Sequence, residues 1–494
     1  MATQHPDNAG VPFWHDSPFI GEQSEVDELY FNLSVLGNDE YMWDWEGKFA
    51  DEAMIEKLVS KYFDFFRTQQ IGRDLFITLR IPNIWEEKTF KLSRAYMSIL
   101  SAAEFTHSLG LEAPPVFELI LPMTKRADQL IHIQDTFAKT ARFKETVFGD
   151  SAVGDGFVHM IPIFESVDDL LGSAELVEDY LDTFRSVIGF QPDHFRTFIA
   201  RSDPSLNAGF VSAALACKVA LRNFGLLSEK RGIPMYPIIG CGSLPFRGGF
   251  TPENIEEVVD LYAGARTLTI QSAFRYDYPL ETVQKGIKEL RTLLPRREAP
   301  TMEEDEMREV LRIIELFKQP YCHTVEEIAP LINDFATHIP KRRSRVQHIG
   351  LFGYSRGVGE ATLPRAIAFT GALYSMGIPP EFIGTGRALS KLKNHGGLAL
   401  LEKHFPVLRT WLLQSGRFIN MENVRKLSKD FPALKEVLND IEFVQEILSL
   451  DLKPQSVTEM LHRNLTSNIL LKKEAGLDFK QEIVEAAKLR KSLG

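Results

Sequence analysis

Short runs of β-branched and aromatic residues alternate along this chain with longer stretches whose apolar positions recur every three or four residues. Eight such runs predict strands: EYMWDW (40–45), DLFITLR (74–80), PVFELILP (115–122), FVHMIPIFE (157–165), FRTFIAR (195–201), PMYPIIG (234–240), TLTIQSAF (267–274) and VQHIGLFGY (346–354). Their spacing is regular except for one longer gap before the last, and it leaves room for a helix and two loops per unit. The stretch DEAMIEKLVSKYFDFFRTQQ, between the first and second runs, has the matching helical period. Buried parallel strands alternating with amphipathic helices describe an α/β fold. Eight consecutive units predict a closed (β/α)₈ barrel of the TIM type. An open, doubly wound sheet has the same alternation and remains the alternative, because strand order is not written in one sequence.

The gap from 279 to 344 is rich in helix formers, as in ETVQKGIKELRTLL and EEDEMREVLRIIELF, and predicts inserted helices rather than a loop. Beyond residue 387 the pattern is all helical. The predicted organisation is therefore a barrel with its inserted helices over 1–400 and a C-terminal helical subdomain over 401–494, packed on the barrel.

Composition changes this picture little. The chain has 494 residues, 44% hydrophobic and 25% charged, with a formal net charge of -11. With no basic tail, it is not expected to bind nucleic acid. Its three cysteines, Cys217, Cys241 and Cys322, show no metal or disulfide spacing. No signal peptide is recognised, and no apolar run reads as long enough to cross a bilayer, so a cytoplasmic protein is expected.

Charge at the strand exits changes the picture more. In such barrels the chemistry sits at the C-terminal ends of the strands. Here those ends carry Asp44 and Glu46, Arg80, Glu165, Arg201 and Asp203, Arg247, Gln271 and Arg275, and Arg356. Any strand end tends to turn polar, yet so many guanidinium and carboxylate groups on one rim would form a site for an anionic substrate held with a divalent cation. Glu165 and Asp203 are the best candidate pair for Mg²⁺ or Mn²⁺. Asp44 and Glu46 come next and could equally anchor arginines. The segment SRGVGEATLPRA is either a plain Gly-rich turn or an anion site, with Gly357 and Gly359 admitting an anion and Thr362 and Pro364 opening a helix between Arg356 and Arg365. At the other end, His5 in TQHPDN is either part of a frayed tail or a group held at a site by Pro6.

Taken together, TQHPDN, MWDWEGK, LRIPN, ARSDPSLNAG, LPFRGG, QSAFRYD and GYSRGVGEATLPRA resemble phosphoenolpyruvate carboxylases of the short, archaeal type, in order and from about residue 3 to 387. The resemblance implies a reaction of phosphoenolpyruvate with bicarbonate giving oxaloacetate and phosphate, without biotin. It implies catalytic roles for His5, Arg80, Arg247 and Arg356. It further implies substrate contacts from Arg201, Gln271, Arg275, Arg356, Gly357 and Arg365, metal binding by Glu165 and Asp203, and a homotetramer. Two departures from the longer bacterial and plant form stand out. Leu206 occupies the position of a lysine, and Cys241-Gly242-Ser243 replaces a His-Gly-Arg signature. Two other readings compete: a lyase or aldolase of enolate chemistry, which would not need His5, and a catalytically dead barrel that senses a metabolite.

Overall fold

The computed structural model describes residues 1–21, 24–45, 51–86, 91–149, 157–340, 356–358 and 361–494, with only the backbone at Arg356 and Gly357. Eight parallel strands run in sequence order: β1 (Ala2–Thr3), β2 (Glu40–Asp44), β3 (Phe76–Arg80), β4 (Glu118–Leu121), β5 (His159–Phe164), β6 (Phe195–Ala200), β7 (Met235–Gly240) and β8 (Thr267–Leu268). Just past β8, Ile270 pairs in parallel with Ala2. The Thr3 N–H donates to the Ile270 carbonyl at 3.2 Å, and the Ile270 N–H donates to the Met1 carbonyl at 2.7 Å. These bonds close the ring and exclude the open sheet.

Seven of the eight predicted strands are present, each shifted one place along. The missing first strand is Ala2–Thr3 at the N-terminus, too short to show any periodicity. The expected strand at 346–354 lies outside the described residues, and the ring closes without it. This shift matters for chemistry, because the residues that follow β1 open onto the same rim as every other strand exit.

Alternate strands fill the barrel in layers. At the lower end, Glu40 of β2, Glu118 of β4, Arg196 of β6 and Thr267 of β8 form one layer. Arg196 donates to Glu40 at 2.9 Å and to Thr267 at 3.2 Å, and it also bonds Glu118. Both carboxylates are therefore buried with a guanidinium partner, the condition under which charge is tolerated inside a protein. Above this layer Met42, Ile120, Ile161, Ile163, Phe198 and Ile238 pack with the Met1 side chain into an apolar plug.

The inserted stretch forms two helices, Leu280–Leu293 and Glu304–Ala336. One expectation fails here. The 22-residue helix Phe210–Arg231 is long and apolar enough to span a bilayer, but 72% of its apolar window is buried inside the protein. It packs on β6, β7 and the Glu304–Ala336 helix, so its hydrophobicity serves the core. Helices continue to the end of the chain, and the Leu493 N–H donates to the Asp7 carbonyl at 2.7 Å, bringing the C-terminal segment to the rim.

Candidate active site

The residues after β1 are held on every side. Gln4 accepts the Asp44 N–H at 3.0 Å, tying the segment to the exit of β2. The Thr3 carbonyl accepts from Arg275, and the His5 carbonyl accepts from the Ser272 hydroxyl. The Asp277 carboxylate receives the Ala9 N–H at 2.9 Å and the Gly10 N–H as well. The segment is thus not a frayed tail. His5 itself is half-buried, with Nδ1 2.7 Å from the Thr3 hydroxyl.

Asp7 carries the longest link. It is fully buried, accepts the Ala273 N–H at 3.0 Å, and faces Arg247 at 3.3 Å. Burial pushes its carboxyl up, against the opposing pull of Arg247. Arg247 also donates to Gln271 at 2.7 Å, to the Ser202 hydroxyl at 3.2 Å and to the Gly494 carbonyl. One guanidinium therefore gathers the exits of β1, β6, β7 and β8 and the C-terminal segment. The turn that aims it, Pro245–Arg247, is followed by Gly248 and Gly249 at φ +116° and +64°. A Cβ on Gly249 would lie 2.5 Å from the Trp411 ring, so this close turn needs glycine for space as well as for backbone conformation.

The expected substrate-binding set divides in two. Arg201 is fully buried and spends its donors on Tyr262, Ser205 and the carbonyls of Phe210 and Phe246. Arg275 is also buried, bonded to Asn32, Ser272 and Thr3 and 3.5 Å from Glu28. Gln271 is occupied by Arg247. In this structure Arg201 and Arg275 direct their donors onto partners inside the protein, and Gln271 accepts through Oε1, so all three brace the rim. Arg247 has the same character. Arg80 differs: it forms a bidentate pair with Asp44 at 2.6 and 2.9 Å and keeps part of its surface open. Asp44 thus anchors an arginine, one of the two tasks open to it; Glu46 lies outside the described residues.

The Gly-rich segment is a strand pair before it is a helix. Arg356–Val358 runs antiparallel to Ala361–Leu363, and the helix Ala366–Ser375 begins only after Arg365, which is exposed at its N-terminal cap. Thr362 therefore belongs to a strand, and Pro364 precedes the helix. Gly357 is placed by its backbone within this pair, while Gly359 and the Arg356 side chain fall outside the description.

Glu165 directly follows β5, and Asp203 lies in the first turn of the helix Ser202–Ala208, which follows β6. The two strands are hydrogen-bonded neighbours. The Glu165 carboxylate accepts the Met123 N–H at 2.9 Å. Among the described residues no cluster of three or more His, Cys, Asp and Glu forms a metal cage. Two hard carboxylates suit Mg²⁺ or Mn²⁺, which keep several waters and substrate oxygens. Leu206, at the lysine position of the long form, is fully buried and adds no charge to the rim.

A family model described as phosphoenolpyruvate carboxylase matches residues 1–494. The chain belongs to the phosphoenolpyruvate carboxylase family. A phosphoenolpyruvate carboxylase of Oenococcus oeni is 42% identical over 474 residues, covering 95% of this chain and 93% of the relative. That of Leuconostoc mesenteroides is 42% identical over 497 residues, covering 100% and 98%. That of Methanothermobacter thermautotrophicus is 38% identical over 510 residues, covering 100% and 99%. The resemblance to the short, archaeal-type form therefore holds across the whole length, and the chain is an enzyme of carboxy-lyase type. Among solved structures, a Haloferax volcanii malate synthase covers 63% of this chain and 74% of its own at a TM-score of 0.34 and 13% identity, too low to bear on fold or function.

Reading the sequence missed three partners of the site: Asp277, the pairing of Asp7 with Arg247, and the approach of the C-terminal segment. Asp7 and Asp277 did stand inside the quoted motifs TQHPDN and QSAFRYD, which was the available signal.

Proposed function

We propose that the chain joins bicarbonate to phosphoenolpyruvate, releasing oxaloacetate and phosphate through carboxyphosphate and the enolate of pyruvate. The observation that carries this reading is the position of His5. A histidine tied into the barrel as the exit of β1 shares a rim with Glu165, Asp203 and Arg80, within a family of this activity over the full chain. A bicarbonate oxygen attacks phosphorus, and the bond from phosphorus to the enol oxygen breaks. His5 takes the proton of carboxyphosphate, whose C–O bond then cleaves to give CO₂ and phosphate, and the enolate carbon attacks that CO₂. The proton passes from His5 to phosphate. Imidazole suits this exchange because its ordinary pKa lies near neutrality.

Arg80, held flat by Asp44, and the exposed Arg365 bind the phosphate and carboxylate charges, with Arg356 from the Gly-rich segment. Arg247 and Arg275 keep the His5 segment in reach. When bound on Glu165 and Asp203, a divalent cation supplies Lewis-acid stabilisation of developing charge on the enol oxygen. Biotin and nucleotide are not required, because the phosphoryl group of the substrate activates bicarbonate itself. The same family resemblance is the support for a cytoplasmic homotetramer.

The test is a coupled assay with phosphoenolpyruvate, bicarbonate and Mg²⁺, in which malate dehydrogenase follows oxaloacetate through loss of NADH. The expected result is bicarbonate-dependent turnover with phosphate released in equal amount. No turnover with either Mg²⁺ or Mn²⁺ would overturn the proposal. Asp203→Asn is expected to weaken Mn²⁺ binding by about 10-fold or more, read directly by titration calorimetry without substrate. Unchanged Mn²⁺ affinity would remove Asp203 from the metal site.

A further inference from the structure

We propose that Glu381 is a positioning residue that holds the Arg247 turn, and through it the His5 segment, in working position. This inference rests on the role of His5 given above. Glu381 lies in the turn Pro380–Phe382 and is fully buried. Its Oε1 accepts the Phe246 N–H at 2.9 Å and the Tyr374 hydroxyl at 2.8 Å. Phe246 immediately precedes Arg247. Its ring stacks on Phe369 at 5.6 Å, and its carbonyl accepts from Arg201 at 3.3 Å. The backbone that aims Arg247 is thus pinned at both ends of one residue, at the N–H by an ionisable group. From Arg247 the contacts continue to Asp7, two residues from His5.

Among the described residues no cation pairs with Glu381. Tyr374 of the helix Ala366–Ser375 and Tyr321 of Glu304–Ala336 face it as neutral phenols whose own ionisation is pushed up by burial. Ser415, from Leu408–Gly416, is uncharged. Arg387 of Thr385–Asn394 and Asp440 of Leu434–Leu448 pair with each other at 3.0 Å. Arg490 lies over the Tyr374 ring, 5.5 Å from its centroid, and Arg247 is directed to Asp7. Burial without a counter-charge lifts the Glu381 carboxyl to about 7, and among the described residues its Oε2 has no hydrogen-bond partner.

An ionised carboxylate accepts the Phe246 N–H more strongly than a neutral carboxyl does, so the turn is held best once Glu381 is charged. That charge costs stability. The folded-state value lies above the ordinary carboxyl range, so the stabilising contribution is complete below about 4.5 and is lost as pH rises through about 7. A side chain retained only for packing has no reason to carry this cost.

Glu381→Gln separates the two roles. The expected result at pH 8 is a kcat lower by about threefold to tenfold, with KM for phosphoenolpyruvate changed less than about twofold. At the same pH, Tm should be about 2 °C or more above the wild type, and the gap should close near pH 5. Tyr374→Phe removes a donor that favours the charged form. It should therefore move upward the pH at which the loss of stability levels off, while lowering kcat at pH 8. Wild-type kcat in Glu381→Gln, or kcat and Tm falling together at every pH (failure to fold included), would overturn the proposal. A Tyr374→Phe transition that stays in place or moves down would do the same. If the wild-type chain shows no bicarbonate-dependent turnover, the underlying reading fails and this inference falls with it.

Discussion

Replacing His5 with asparagine is expected to lower kcat for oxaloacetate formation by about 10²–10⁴-fold, the range spanned by a positioned acid–base group. The affinities for phosphoenolpyruvate and Mn²⁺ should stay within about twofold of the wild type, because the groups that hold them sit on other strands. Asparagine is smaller, but its amide can take the place of His5 Nδ1, which lies 2.7 Å from the Thr3 hydroxyl. The backbone anchors from Ser272, Arg275 and Asp277 are untouched by the exchange. What disappears is the imidazole nitrogen assigned to carry the proton. Kinetics paired with calorimetry on the same variant checks both halves of the expectation. A fully active variant would remove His5 from the chemistry and favour an enolate lyase that needs only the carboxylates and arginines.

Arg247→Met should have the largest effect on stability. Arg247 and Asp7 are buried to 1% and 0% side-chain exposure, so losing the cation strands a carboxylate with no access to water. Breaking such a pair costs about 3–5 kcal/mol, well above the usual value of a surface ion pair. The loss has a pH signature. Burial already raises the Asp7 carboxyl, and Arg247 is the largest force opposing that rise. Without it the folded-state value climbs further above the unfolded one. The variant should then lose stability as pH rises above the ordinary carboxyl range and come closest to the wild type in acid. Denaturation at pH 5 and pH 8 tests this, and a deficit equal at both would refute the account. The double variant Asp7→Asn, Arg247→Met should recover part of the stability at pH 8, since no charge is left behind. Its activity should stay low, because the His5 segment has lost its link to the Pro245–Arg247 turn.

The parts of the site that were legible in the sequence are those written locally. Glu165 ends an apolar run, and Asp203 follows another by a few residues, so their place at neighbouring strand exits follows once the strands are recognised. The motifs that frame them are compact and extend the family resemblance to most of the chain. The LPFRGG motif was legible too, but the reason its Gly249 is a glycine, the nearness of the Trp411 ring, was not. Partnership was not legible. Asp44 was left between two tasks, metal ligand and arginine anchor, and only the tertiary structure shows its bidentate contact with Arg80. The arginines looked alike in sequence. They differ in the fold because Arg201 and Arg275 turn inward onto carbonyls and hydroxyls, while Arg80 keeps an open face and Arg365 is exposed.

By itself the sequence determined the alternation of strand and helix, the positions of seven barrel strands, the inserted helices and the family. Each of these rests on periodicity or on short motifs, which survive in one dimension. Only the tertiary structure decided that the ring begins at Ala2, since two residues show no period and their strand character comes entirely from bonds to β2 and Ile270. The same closure turned a polar N-terminal segment into a loop of the rim. It also brought Asp7 to Arg247 and the Phe246 backbone to Glu381, pairs separated by 240 and 135 positions. Such contacts exist because burial forces each buried charge or amide to find a partner in space, and nothing along the chain marks which partner that will be.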